Sequence, residues 1–200
     1  MSESLHPRFV ATARAVHPDL GEAVSAAGPL APLEPPRLGL AEALCRAVVG
    51  QQLSTRAARA IWHRLTAAAG DDLLAHLGCA TEGQLRACGL SAAKARALVA
   101  IQAAQRAGAL DAARLAGMDA ETRAGALTAI RGVGPWTADM LALFWFRDPD
   151  IWPAGDLAVR RTLQRLTGPE QPADEAAARF TPYRSLLARY LWRIADLQPV

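Results

Sequence analysis

Two segments of this 200-residue chain carry groups that could do chemistry at the point where a loop becomes a helix. In Gly132-Val133-Gly134-Pro135-Trp136-Thr137, the glycines permit a tight backbone reversal, and a helix starting near the proline presents unpaired N–H groups outward. Such a terminus attracts anions, and on a nucleic-acid-binding protein the anion is a backbone phosphate. The same string also suits an ordinary αα-hairpin with a glycine C-cap. In Pro153-Ala154-Gly155-Asp156-Leu157, a carboxylate stands directly before a helical stretch, 20 residues beyond Trp136. An aspartate there either caps the helix or offers a fixed negative charge to a reacting group.

The inventory of other reactive groups is short. Lys94 is the only lysine, so it is the only side-chain amine available for covalent catalysis. Cys45, Cys79 and Cys88 are odd in number and unclustered, which predicts free thiols in a reducing cytoplasm. His6, His17, His63 and His76 never pair with a cysteine at a metal-ligand spacing, which sets zinc and iron-sulfur sites aside. Charge is uneven: residues 43–110 hold eight basic residues (Arg46, Arg56, Arg59, Arg64, Arg86, Lys94, Arg96, Arg106) against Asp71, Asp72 and Glu82. That region suits a polyanionic partner.

The elements that must position these groups are helices. At 52% hydrophobic and 20% charged residues, the chain is too apolar to be disordered, and no apolar run is long enough to span a bilayer. Its first 30 residues lack a basic stretch followed by an apolar one, so no secretion signal is expected. Alanine and leucine dominate, and apolar residues recur at three and four rather than two, which predicts an all-α protein. Helices are expected over 7–16, 20–27, 40–49, 54–69, 71–76, 82–88, 92–107, 111–116, 120–130, 136–146, 157–167, 174–180 and 183–196. Ser54 and Ser91 read as N-caps, Thr81 with Gln84 as a capping box, and Pro135 as lying just before a helix. Pro- and Gly-rich breaks at 28–39 and 148–155 predict a central bundle, 40–147, and a terminal lobe made of 1–39 plus 148–200.

The hairpin string, followed at this distance by Ile151-Trp152-Pro153-Ala154-Gly155-Asp156, resembles the helix-hairpin-helix DNA glycosylase superfamily. Three further stretches extend the resemblance over most of 40–196: Val48-Val49-Gly50-Gln51-Gln52-Leu53-Ser54, Gly89-Leu90-Ser91 through Leu98, and Thr181-Pro182-Tyr183 through Arg193. The last is similar to the final helix of the 3-methyladenine DNA glycosylase II branch. The resemblance implies a two-lobed all-α glycosylase fold with its hairpin at about 120–146 and a catalytic aspartate, Asp156, at the cleft between lobes. It implies that Gly132, Gly134, Trp136 and Thr137 bind the DNA backbone, with a monovalent cation at the hairpin carbonyls and no other metal or cofactor. Gln52 takes the position that enters the base stack, with Gln51 beside it, although two exposed loop glutamines would look the same in sequence. Trp136, Trp192 and Met140 take base-pocket positions, while Trp62, Trp145 and Phe144 are expected in the core. Bacterial members with a longer N-terminal β-domain carry tyrosine at the Met140 position, which leaves the range of bases open.

The position after Gly-x-Gly-x separates two chemistries within the superfamily. Members resembling endonuclease III carry a lysine there that forms a Schiff base and leads to strand cleavage, whereas this chain has Trp136. The resemblance therefore implies a monofunctional enzyme, acting as a monomer on double-stranded DNA in the cytoplasm or nucleoid, that flips out an alkylated purine and hydrolyses its N-glycosidic bond. Two rivals stay open: a glycosylase for uracil, mismatched thymine or oxidised bases, and a non-catalytic helix-hairpin-helix DNA-binding module. Asp156 after Pro153-Ala154-Gly155 argues against the module.

Overall fold

The computed structural model describes residues 2–196. Among them the chain forms thirteen α-helices, one π-helical turn and no strand. The chain divides into two compact units, one made of Met1–Glu34 with Arg147–Val200 and the other of Pro35–Phe146. Met1 and 197–200, the outermost residues of the expected terminal lobe, lie outside the described residues.

In the first unit, α1 (Ser2–Val16) and α2 (Pro18–Ala27) pack against each other, separated in sequence by His17 alone. The second unit runs through α3 (Leu40–Gly50), α4 (Thr55–Ala69), α5 (Leu73–Cys79), α6 (Glu82–Ala87) and α7 (Ala92–Arg106). It continues with α8 (Ala112–Ala116), α9 (Ala120–Thr128) and α10 (Pro135–Leu141), which opens into the π-helical turn Ala142–Phe146. The first unit is completed by α11 (Leu157–Thr167), α12 (Ala173–Ala178) and α13 (Arg184–Asp196).

The starts of these helices are written locally. Ser54 and Ser91 accept bonds from Ala57 N and Lys94 N, each relieving one of the unpaired donors of a helix's first turn. Thr81 and Gln84 close a reciprocal capping box on α6, and Pro135 occupies the first turn of α10, where its missing N–H costs nothing.

Each unit has its own core. In the second, Leu44, Val48, Leu65, Leu77, Leu98, Ile101 and Leu127 are all but sealed from solvent, each contributing roughly 1.5–3 kcal/mol of burial. Helix α3 packs against α4, α7 and α10. Its C-terminal end meets the first turns of α7 and α10, through Lys94 and Thr137. In the first unit, α11 packs on α13 and α2, and Phe9 is sandwiched between Phe180 and Tyr190 at centroid distances of 4.9 and 5.2 Å.

One helix departs from its expected form. The apolar period through 136–146 reads as a single α-helix, but the backbone widens after Leu141 into π geometry. There Trp145 donates its indole N–H to Leu38 O at 3.1 Å, and the Arg123 guanidinium sits 4.4 Å from the Phe146 ring centroid. Leu143 goes to the core while Phe144, expected there, is 43% exposed. A π turn shifts the facing of each residue relative to an α-helix, and an unbroken apolar run gives no sign of it.

Candidate functional site

The two glycines of the hairpin have different reasons to be there. Gly132 adopts φ +86°, and a Cβ on it would collide with the Ala97 methyl and lie 3.3 Å from Ala97 Cα. That glycine lets the hairpin press against α7. Gly134 has an ordinary extended φ of −93°, and a Cβ there would meet nothing within 4 Å. Packing does not require glycine at 134; the space in front of α10 is open for something to approach.

Behind this open side the hairpin is braced from the end of α3. Gln51 Nε2 donates to Thr137 Oγ1 at 2.7 Å and to Gly132 O at 3.3 Å. Thr137 is 1% exposed, so its hydroxyl is turned inward to Gln51 rather than outward to a ligand. Gln52, the next residue, is exposed and held at φ +54°, a left-handed conformation uncommon outside glycine. The structure thus separates the two glutamines into a brace and an exposed tip.

Lys94 completes the brace, a role that nothing in its local sequence signals. Its ammonium donates to Val49 O at 2.9 Å and Gln51 O at 2.8 Å, capping carbonyls at the end of α3 from 43 to 45 residues away. Partial burial lowers its pKa from the ordinary lysine value. The only side-chain amine of the protein is therefore occupied in holding a loop.

The hairpin carbonyls of Leu127, Ile130 and Gly132 accept bonds from Ile130 N, Val133 N and Gln51 Nε2 respectively. Leu127 O also accepts from Ala129 N, so Ile130 O and Gly132 O are the two that keep a lone pair to offer a monovalent cation.

Trp136 and Met140 stand one turn apart on the same face of α10, both half-buried. Between them Asp139 is pushed up by burial to a pKa of about 6.

Asp156 belongs to the other unit. It is the N-cap of α11: its Oδ1 accepts from Val159 N at 2.9 Å, its own N–H donates to Pro153 O at 2.8 Å, and it is 9% exposed. The capping reading and the reactive-carboxylate reading are compatible, since the cap fixes the carboxylate's orientation. The preceding loop is held by Asp174, which accepts from Trp152 Nε1 at 2.8 Å and from Arg160 at 3.0 Å, while Arg160 also donates to Ala154 O. Upstream, Arg184 grips Asp150 through two parallel bonds of 2.8 and 2.9 Å, which holds the Asp150 carboxyl below the usual range. Trp192 lies half-buried on α13.

Residues 45–182 match the family model of the HhH-GPD superfamily of base excision DNA repair proteins. The chain is 34% identical over 170 residues to DNA-3-methyladenine glycosylase 1 of Schizosaccharomyces pombe, covering 78% of this chain and 72% of that protein. It is 35% identical over 167 residues to a probable bifunctional transcriptional activator and DNA repair enzyme of Mycobacterium tuberculosis, covering 76% of this chain and a 33% share of that longer protein. Among solved structures, the S. pombe 3-methyladenine DNA glycosylase in complex with abasic DNA superposes with a TM-score of 0.80 at 27% identity, covering 90% of this chain and 92% of that one.

Proposed function

The chain belongs to the HhH-GPD superfamily of base excision DNA repair proteins, and from that premise we propose that it is a monofunctional DNA glycosylase excising alkylated purines. The observation that carries this reading is Asp156, a shielded carboxylate of fixed orientation, in a chain whose only lysine is tied to the end of α3. An N3- or N7-alkylated purine is cationic and leaves readily, so no strong general acid is needed. What remains is to extrude the base, hold it, and meet the positive charge that grows on the deoxyribose as the bond to C1′ breaks.

Each task has a candidate group. Gln52 enters the vacated stack and offers its amide to the orphaned partner base, repaying part of the few kcal/mol that extrusion costs. Gln51 and Thr137, turned toward each other, hold that tip against the hairpin. Trp136 and Trp192 present electron-rich faces to a cationic base, and Met140 supplies an adaptable apolar wall. The open side of Gly134 admits a phosphate of the damaged strand to the start of α10, together with Gly132 and the Trp136 backbone. Where a monovalent cation is bound, the hairpin carbonyls of Ile130 and Gly132 would help to hold it, and its charge would attract the same phosphate. The ionised Asp156 faces the developing oxocarbenium-like charge or directs water onto C1′, and both roles need the negative charge.

Strand cleavage would require an amine to attack C1′, and Trp136 occupies the position where the lyase branch has its lysine. The reaction therefore leaves an intact strand with an abasic site. Borohydride reduction tests this, since it converts a Schiff base into a stable protein–DNA adduct. The reading expects no adduct above background; an adduct that disappears in Lys94→Ala would overturn it.

A further inference from the structure

Three consecutive residues at the turn between α3 and α4 face different ways. Gln51 is bonded to the hairpin, Gln52 is exposed at the tip, and Leu53, 40% exposed, lines a cavity of about 250 Å³ formed by α3 and α4 with no hairpin residue in its lining. Arg46, Thr55, Arg59 and Trp62 help to form that cavity. Arg59 also borders a second depression along α4, with Arg56 and His63, so the basic surface continues outward from the loop tip.

Arg46, Arg56 and Arg59 are exposed, and none takes part in the ion pairs or hydrogen bonds found among the described residues. Glu42, one turn before Arg46 on α3, is bonded to the Gly39 N–H instead. Unneutralised guanidinium groups gathered around a half-buried indole repel one another and fit a polyanion whose sugars offer apolar faces.

We propose that the Arg46–Arg59 cavity and the arginine track along α4 hold phosphates of the DNA strand opposite the damaged one, beside the base that Gln52 leaves unpaired. The inference rests on the glycosylase reading. If the hairpin takes the damaged strand and Gln52 enters the stack, the Leu53 side of the tip faces the second strand. Phosphate contacts of this kind carry no sequence information, but they make binding depend on a duplex and steepen its salt dependence.

The test compares wild type with Arg46→Ala/Arg59→Ala on three probes. The first is a duplex with a tetrahydrofuran abasic analogue, the second the same strand alone, and the third the duplex with methylphosphonates replacing the opposite-strand phosphates around the orphan base. The variant is expected to bind the duplex about a hundredfold more weakly, with a salt slope smaller by about two, and to bind the single strand as wild type does. The methylphosphonates are expected to weaken wild type and leave the variant unchanged. Arg46→Lys/Arg59→Lys, which retains charge, is expected to recover most of the affinity. Equal losses on duplex and single strand, or an equal methylphosphonate penalty in both proteins, would overturn the inference alone. Failure of wild type to prefer the abasic duplex over an undamaged one would overturn the glycosylase reading, and this inference with it.

Discussion

Gly134 and Asp156 each stand at the head of a helix, but the bonds that hold them come from different distances along the chain. Around Gly134 the brace is non-local: Gln51 reaches across 81 and 86 residues to Gly132 and Thr137, and Lys94 reaches back across 43 and 45 residues to the end of α3. At Asp156 itself it is local: Pro153, Val159, and Arg160 bonded to Ala154 lie within a few residues, while the loop before it is tied at longer range, to Asp174 on α12 and, through Asp150, to Arg184 on α13. A locally built site tolerates a change at its centre if the cap is preserved. A site assembled from distant segments fails when any one approach is blocked.

The sharpest division between the two is expected from Asp156→Asn. Asparagine caps a helix as well as aspartate, so the thermal midpoint should move by no more than a degree or two, while single-turnover excision falls by about a thousandfold because the charge is gone. A large loss of stability with this variant would mean that the local cap matters mainly to the fold. Next in size, Gly132→Ala forces a methyl into Ala97 at a positive φ, and denaturant unfolding should show a loss of about 3 kcal/mol. Gly134→Asp should leave stability unchanged, since its Cβ enters open space and aspartate is a good N-cap. Its carboxylate should instead weaken binding to abasic duplex by about tenfold or more, equally for every sequence. Loss of affinity for only some sequences would point to base reading by the hairpin.

The smallest expected effect concerns Asp139, between the two base-pocket candidates of α10. Its carboxyl titrates near 6 in the folded protein against 3.8 when unfolded. Between those values the folded state binds more protons, so stability is lost as pH rises through the window, and the penalty is complete above it. Asp139→Asn should therefore stabilise the protein at neutral pH by about 1 kcal/mol, allowing for solvent screening of a partly exposed carboxyl, with the gain vanishing below roughly pH 4. A gain that persists in acid would point to packing rather than charge.

The same contrast in range explains what could be read from the sequence. Helix starts at Ser54, Thr81, Ser91 and Pro135 depend on residues three or four apart, and those were legible, as was the all-α class from the apolar period. Asp156 was recognisable both as a cap and as a reactive candidate. The split of Gln51 from Gln52 was not, because it depends on Thr137 lying beside the end of α3. Lys94 carried no signal beyond being the only lysine, since its acceptors are carbonyls of another helix. Phe144 was misassigned to the core because a π turn changes which residues face inward without changing the apolar run.

Excision of alkylated purines can be measured by incubating the wild-type protein with otherwise identical duplexes carrying 3-methyladenine, uracil, a mismatched thymine or an oxidised purine, and following both the free base and the state of the strand. The alkylated purine is expected to be released, with strands that stay intact until alkali or heat is applied. Release of uracil, thymine or the oxidised base in its place, or of no base at all from duplexes that the protein nevertheless binds, would contradict that expectation.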